Sequence, residues 1–207
     1  MPVHLVDHPL VHDALLELRD RNTPSAAFRR AATRITTLLA SEAMRDVPST
    51  EATVQTPLGA ASGRRVAADV VVVPVLRAGL GMLDAILDLA PQARVGHIGL
   101  QRDEMTAVAS QYYAKFPGRL DSSFVLMVDP MLATGGSAIA ALELLERAGA
   151  RRVNVVCIVA APEGVAALEQ RFPSVHIFTP VIDERLNASK FIVPGLGDFG
   201  DRLYGTS

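Results

Sequence analysis

The chain has 207 residues, a net charge of −2 and 49% hydrophobic residues. That length suits one domain with a real core, and the slightly negative charge excludes a general nucleic-acid binder built on a basic face. A single cysteine excludes an internal disulfide framework, and no 18-residue apolar segment offers a membrane span.

A helix is expected over residues 10–20, opened by His8-Pro9, with Leu15, Leu16 and Leu18 on one face. Thr23-Pro24 reads as an N-cap followed by proline at the first helical position. That second helix continues through Phe28, Ala32, Ile35, Leu39 and Met44, spaced three to four apart, and ends at Val47-Pro48. Residues 53–56 alternate and read as an edge strand closed by Pro57-Leu58-Gly59. From Asp69 the rhythm changes. Residues 70–76 form a solid apolar run, the mark of a strand buried on both faces. A helix over 80–89, a strand over 94–100 and a third run over 122–128 follow. Then come a glycine-containing turn and a helix over 137–148, stopped by Gly149. A strand over 153–160, a helix over 162–172 and a strand over 175–181 complete the alternation. Such alternation predicts an α/β fold, a mainly parallel sheet flanked by helices. Residues 103–121 carry two tyrosines and little periodicity, and read as a flap or a hairpin.

Cys157 lies inside an apolar run and reads as a small buried hydrophobe. The first ten residues hold no apolar stretch of signal-peptide length, so a cytoplasmic protein is expected. The basic residues are almost all arginine, with Lys115 and Lys190 the exceptions. His4, His8 and His12 are four apart, but Pro9 argues against a metal site. Asn187-Ala188-Ser189 matches a glycosylation acceptor by chance, and Arg151-Arg152 reads as a solvated turn. The apolar content exceeds what a polar-coated monomer needs, so a homo-oligomer interface is expected.

The strongest signal spans residues 124–137. A buried strand ends in Asp129. Pro130, Met131, Leu132 and Ala133 lead to Thr134, Gly135, Gly136 and Ser137, where a helix begins. Unpaired backbone N–H groups and the positive end of the dipole gather at such a helix start. Glycines admit a phosphate to them, and the hydroxyls add donors. Asp129 stands at the C-terminal strand edge, where ligands of open α/β sheets collect, and is suited to sugar hydroxyls. The kinase P-loop is excluded, because this loop holds no lysine, and the dinucleotide fingerprint is absent from it too. Arg77 ends the first apolar strand ahead of Gly79 and Gly81, and its fork of donors suits pyrophosphate oxygens. The segment 191–202 holds Gly195, Gly197 and Gly200 around Pro194 and Asp198, too glycine-rich for a strand or helix. Such a loop can bring bare backbone against a flat ligand.

Residues 129–137 resemble the phosphoribosyl pyrophosphate loop of type I phosphoribosyltransferases. Pro130, standing where that family commonly has a second acidic residue, points to the uracil phosphoribosyltransferase branch. So do the strings beginning at Asp7, Pro74, Arg102 and Ile192, which occur in that branch's order. The resemblance implies a type I phosphoribosyltransferase-like domain spanning 1–207. It would have a helical segment at about 1–50, a core at about 51–181 and a C-terminal base-binding segment at about 182–207. It implies that uracil and phosphoribosyl pyrophosphate give UMP and pyrophosphate, with Mg²⁺ carried mainly by the substrate diphosphate. It assigns Asp129, Arg77 and Arg102 to catalysis, and Arg77, Arg102, the whole loop from Asp129 to Ser137 and Asp198 to phosphoribosyl pyrophosphate. Ile192, Gly197, Asp198 and Phe199 are assigned to uracil. Asp103 and Glu104 stand to pair with the arginines, to hold Mg²⁺ through water, or equally to form a solvated turn. Phe191 occupies a position where the family often has tyrosine, and residues 105–110 depart from its usual charge and proline. GTP is admitted as an effector. The rival reading is a phosphoribosyltransferase-like RNA-binding regulator or inactive partner domain. It calls for a basic face and lost loop residues, and the chain shows neither.

Overall fold

The computed structural model describes residues 2–102 and 109–206. In chain order its first half holds β1 (Val3–Leu5), α1 (Pro9–Arg19), α2 (Ser25–Ala43), β2 (Ser49–Thr56), β3 (Gly59–Val66), β4 (Asp69–Leu76), α3 (Leu80–Leu89), β5 (Arg94–Val95), β6 (His97–Arg102) and β7 (Ala109–Lys115). The second half holds β8 (Ser123–Val128), β9 (Met131–Leu132), α4 (Gly136–Arg147), β10 (Arg152–Val156), β11 (Val159–Ala160), α5 (Pro162–Arg171), β12 (His176–Thr179), β13 (Arg185–Leu186), β14 (Ile192–Val193) and α6 (Phe199–Tyr204). The main sheet runs β1-β12-β10-β8-β4-β6-β7, with β5 also on β4. Its pairings are parallel except β6 with β7.

The side-chain period of two divides the core between the faces. Val72, Leu126, Val128 and Val156 face one way, packing with α1, α2, α3 and α6. Val71, Val73, Val75, Val125, Met127 and Val155 face the other, packing with α4 and α5. Both faces are covered, which explains the unbroken apolar runs. On α2 the stripe Phe28, Ala32, Ile35 and Leu39 is fully buried. Each large side chain there contributes about 1.5–3 kcal/mol of transfer free energy. Burial also pushes the Cys157 thiol up to about 12, so it is packed rather than reactive.

Several expectations change. The N-terminus opens with a strand: β1 extends the sheet beside β12, with Val3 opposite Ile177. Thr23 does not cap α2. Its hydroxyl donates to the Glu17 carbonyl at 2.6 Å, and Pro24 takes the N-cap position without a side-chain bond. The expected edge strand is one arm of a separate antiparallel hairpin, β2–β3, whose turn Leu58 is fully exposed. The run 94–100 breaks at Gly96, and the run 153–160 breaks at Cys157-Ile158, so each gives two strands. The hairpin alternative holds for residues 109–115, which pair with β6; residues 103–108 lie outside the described residues. Arg152 is not a bare solvated turn. It donates to the Asp46 carbonyl at 2.7 Å and lies 4.7 Å from the Phe124 ring centre. The three N-terminal histidines go to separate partners, His4 to His176, His8 to the start of α1 and His12 to Asp7. Among the described residues no helix is long and apolar enough to cross a membrane.

Candidate active site

An open cleft of about 330 Å³ lies at the C-terminal ends of β4 and β8. Among the described residues it is walled by the turn after β4, Leu100 of β6, the loop after β8 and the stretch between β13 and α6.

The loop after β8 is fixed from behind. Pro130 is buried, and its carbonyl accepts from the N–H groups of Ile158 and Val159 at 2.9 and 3.1 Å. Met131 and Leu132 form β9 against β11, and the Leu132 carbonyl accepts from Ala161 N–H at 2.8 Å. This leaves Asp129, Met131, Ala133 and Ser137 on the cleft, while the Leu132 side chain is buried. Gly135, at φ 83°, turns the chain into α4, a backbone state that costs glycine little. The first intrahelical bond runs from Ile139 N–H to the Gly135 carbonyl at 2.8 Å. The N–H groups of Gly136, Ser137 and Ala138 therefore precede the ladder. Gly136 N–H reaches only the Thr134 hydroxyl, at 3.4 Å. A Cβ built on Gly136 meets nothing nearer than that hydroxyl at 3.7 Å, so the space above the helix start is open. Gly164 of α5 supports the loop from below, because a Cβ there would lie 2.4 Å from the Ala133 carbonyl.

On the opposite wall Arg77 follows β4. Its side chain is 62% exposed and 3.6 Å from Asp201 of α6. The Leu76–Arg77 peptide is cis. Gly79 allows the turn to press on the sheet, since a Cβ would meet the Val128 carbonyl at 2.5 Å. The Tyr204 hydroxyl donates to the Arg77 carbonyl at 3.3 Å, and burial holds its pKa above the ordinary value.

The glycine-rich segment contains more regular structure than its composition predicts. β13 and β14 pair as a short hairpin, and α6 starts at Phe199. Asp198 caps that helix, its Oδ1 accepting from Asp201 N–H at 2.9 Å. Ile192, Gly197, Asp198 and Phe199 all line the cleft. The Phe199 ring, however, is buried and packs edge-on against Phe28 at 5.1 Å, so Phe199 offers backbone rather than ring. Gly197 has φ 79°, and a Cβ there would meet only Arg202 Cδ, at 3.6 Å. Ser189, Lys190 and the half-exposed Phe191 complete this wall. Sequence reading missed Ser189 and Lys190 as lining residues. The Asn187 carboxamide, which accepts from the N–H groups of Ser189 and Phe191, is the turn signal that points to them. Arg102 ends β6; the role read for its side chain, and those for Asp103 and Glu104, lie outside the described residues.

The geometry thus brings together a helix start whose first N–H groups precede the helical ladder, an exposed guanidinium and a wall of accessible backbone. It can hold a phosphate at α4, a second anionic group at Arg77 and a flat polar ring against residues 192–199. A family model described as uracil phosphoribosyltransferase matches residues 5–206. The chain belongs to the uracil phosphoribosyltransferase family. A protein of that name from Dictyoglomus thermophilum is 49% identical over 205 residues, covering 99% of both chains. The solved structure of the AQ2163 protein from Aquifex aeolicus superposes with a TM-score of 0.94 at 37% identity, over 99% of each chain. An adenine phosphoribosyltransferase from Thermoanaerobacter pseudethanolicus is similar over 77% of this chain and 85% of its own. At 13% identity and a TM-score of 0.53, that likeness concerns the fold alone. The α/β architecture of this uracil phosphoribosyltransferase family member is that of the type I phosphoribosyltransferases.

Among the described residues the carboxylates lining the cleft are Asp129 and Asp198, one on each side. Among the described residues no three His, Cys, Asp or Glu side chains form a metal-holding group. Asp129 and Asp198 are both hard oxygen donors of the kind Mg²⁺ takes.

Proposed function

We propose that the protein transfers the 5-phosphoribosyl group of phosphoribosyl pyrophosphate to N1 of uracil, releasing pyrophosphate and forming UMP. The observation that carries this reading is the facing of two walls across one cleft, the phosphate-type loop at α4 and the backbone-rich segment 192–199. In this reading the 5′-phosphate takes the N–H groups of Gly136 and Ser137 with the hydroxyls of Thr134 and Ser137. Asp129 accepts from the ribose hydroxyls. Arg77 and Arg102 draw the departing pyrophosphate. Mg²⁺, when bound with the diphosphate, would supply neutralisation of its charge, and Asp129 or Asp198 would be the carboxylate nearest to hold it.

Bond breaking runs ahead of attack and leaves an oxocarbenium-like sugar. The N1–C1′ bond then forms, and the N1 proton passes to solvent. The chain's work is positioning and electrostatics, so no side chain is assigned as a general base. The segment 182–207 serves as the base-binding part, with Ile192, Gly197, Asp198 and Phe199 against uracil. Its edge presents two carbonyls and an N3–H, which backbone groups read. Asp198 lies toward the sugar. The exposed hairpin β2–β3, with Val54, Leu58 and Val66 open to solvent, supports a homo-oligomer. A cytoplasmic location and activation by GTP complete the reading. The test is pyrophosphate release by the purified protein from phosphoribosyl pyrophosphate, uracil and Mg²⁺, repeated with GTP. Release should require all three components, and release that ignores uracil would overturn the reading.

A further inference from the structure

The buried carboxylate of Asp183 lies outside every role described so far. Its side chain is 3% exposed and forms a two-pronged ion pair with Arg19 at the end of α1, Nη2 to Oδ1 at 2.6 Å and Nη1 to Oδ2 at 3.0 Å. Both partners also grip one residue of the base loop. Gly195 N–H donates to Asp183 Oδ2 at 2.8 Å, and Arg19 Nη1 donates to the Gly195 carbonyl at 2.9 Å. The peptide groups on both sides of Gly195 are thereby fixed. Gly195 itself, at φ 60°, accepts no side chain, since a Cβ would lie 2.2 Å from the Ile192 carbonyl. Arg202 adds a hold from the other side, donating to the Leu196 carbonyl at 2.8 Å and to the end of α1 at Asp20.

The backbone of Asp183 is anchored as well. Its N–H donates to the Ala160 carbonyl at 2.8 Å, and Ala160 pairs with Leu132 of the phosphate-type loop. One residue therefore ties three things together: the strand behind the phosphate loop, the helix α1 and the loop that carries Ile192 and Gly197.

We infer that Arg19 and Asp183 are positioning residues that set where the base-binding loop stands relative to the phosphate loop. Neither touches the cleft; each acts through Gly195. The inference rests on the reading that residues 192–199 hold uracil. Releasing the clip frees residues 192–197, while Asp198 stays held as the N-cap of α6, Phe199 stays packed on Phe28, and α4 keeps its own supports. The base should lose its alignment, and phosphoribosyl pyrophosphate should not.

The test uses two variants of the full chain. Arg19→Lys keeps the charge but loses the fork. The double variant Arg19→Met with Asp183→Leu removes both charges together, because a lone buried carboxylate would threaten folding and a matched apolar pair need not. With folding checked by thermal melting, kcat/KM for uracil should fall about 10²-fold in the double variant and less in Arg19→Lys, the scale of a misplacement near 1 Å. The KM for phosphoribosyl pyrophosphate should stay within about twofold, a split that general loosening does not give. Folded variants with unchanged uracil kinetics, or with both substrates weakened alike, would overturn the inference. Gly197→Ala, measured in parallel, separates the two levels. If it weakens uracil while the clip variants do not, the clip alone fails. If it leaves uracil unaffected, the base-loop reading fails.

Discussion

Replacing Gly136 with valine separates phosphate binding from folding. The position opens α4, its backbone lies outside the left-handed region, and a Cβ finds only the Thr134 hydroxyl at 3.7 Å. Valine is therefore accommodated, and an exposed substitution of this kind shifts stability by only about 0.5 kcal/mol. Its methyl groups instead occupy the space through which a phosphate reaches the N–H groups of Gly136 and Ser137. Two hydrogen bonds to a charged group are worth about 1.5–3 kcal/mol each, so their loss costs roughly 3–6 kcal/mol. At 1.4 kcal/mol per tenfold, UMP should bind about 10²–10⁴ times more weakly. Calorimetric titration with UMP, alongside thermal melting of wild type and variant, measures both halves. A variant that melts with the wild type and binds UMP equally well would refute a phosphate at this loop.

Arg77→Ala should lower kcat/KM by about 10²–10³, the usual loss on removing one charged donor from a developing anion; steady-state kinetics near wild type would make Arg77 a bystander. Thr36 is fully buried on α2, and its hydroxyl has no partner among the described residues. Thr36→Val should therefore stabilise by about 1 kcal/mol, a rise of roughly 2–4 °C in Tm, and a lower Tm would contradict this. The Arg94 guanidinium, with the Ser123 hydroxyl, holds the Asp69 carboxyl below its ordinary value of 3.8. A depressed folded pKa gives stability that is present above that value and lost as pH falls through the folded one. Arg94→Ala should thus cost stability near neutral pH and flatten the acid limb of the stability curve, and an unchanged acid limb would show the pair to be inert.

What the sequence made legible follows from where periodicity and chemistry coincide. β4 and β8 are apolar because both sheet faces are covered, and an unbroken apolar run of strand length is the direct imprint of that burial. Asp129, Gly135, Gly136 and Ser137 were legible because their order encodes a strand, a turn and a helix start. β1 was hidden because three residues cannot show a period, and the neighbour β12 lies more than 170 positions away. β3 was hidden because all eight of its residues are exposed and no apolar face exists to alternate. In α6 the glycines masked a helix, although Asp198 and Gly205 bracket it as N-cap and left-handed stop, a pair that points to it. The Arg19–Asp183 pair joins positions 164 apart and has no local signature.

The proposed reaction makes a pyrimidine nucleotide from a free base in this cleft. Labelled phosphoribosyl pyrophosphate and Mg²⁺, offered together with equal amounts of uracil, cytosine, orotate and hypoxanthine, test it in one reaction. Cytosine reverses the donor and acceptor at positions 3 and 4, so backbone readers that suit uracil meet like partners. Discrimination by such unpaired buried groups reaches about 10⁴–10⁵. UMP should be the labelled nucleotide, with CMP, OMP and IMP below detection. Label in any of those three, or no nucleotide at all, would contradict it.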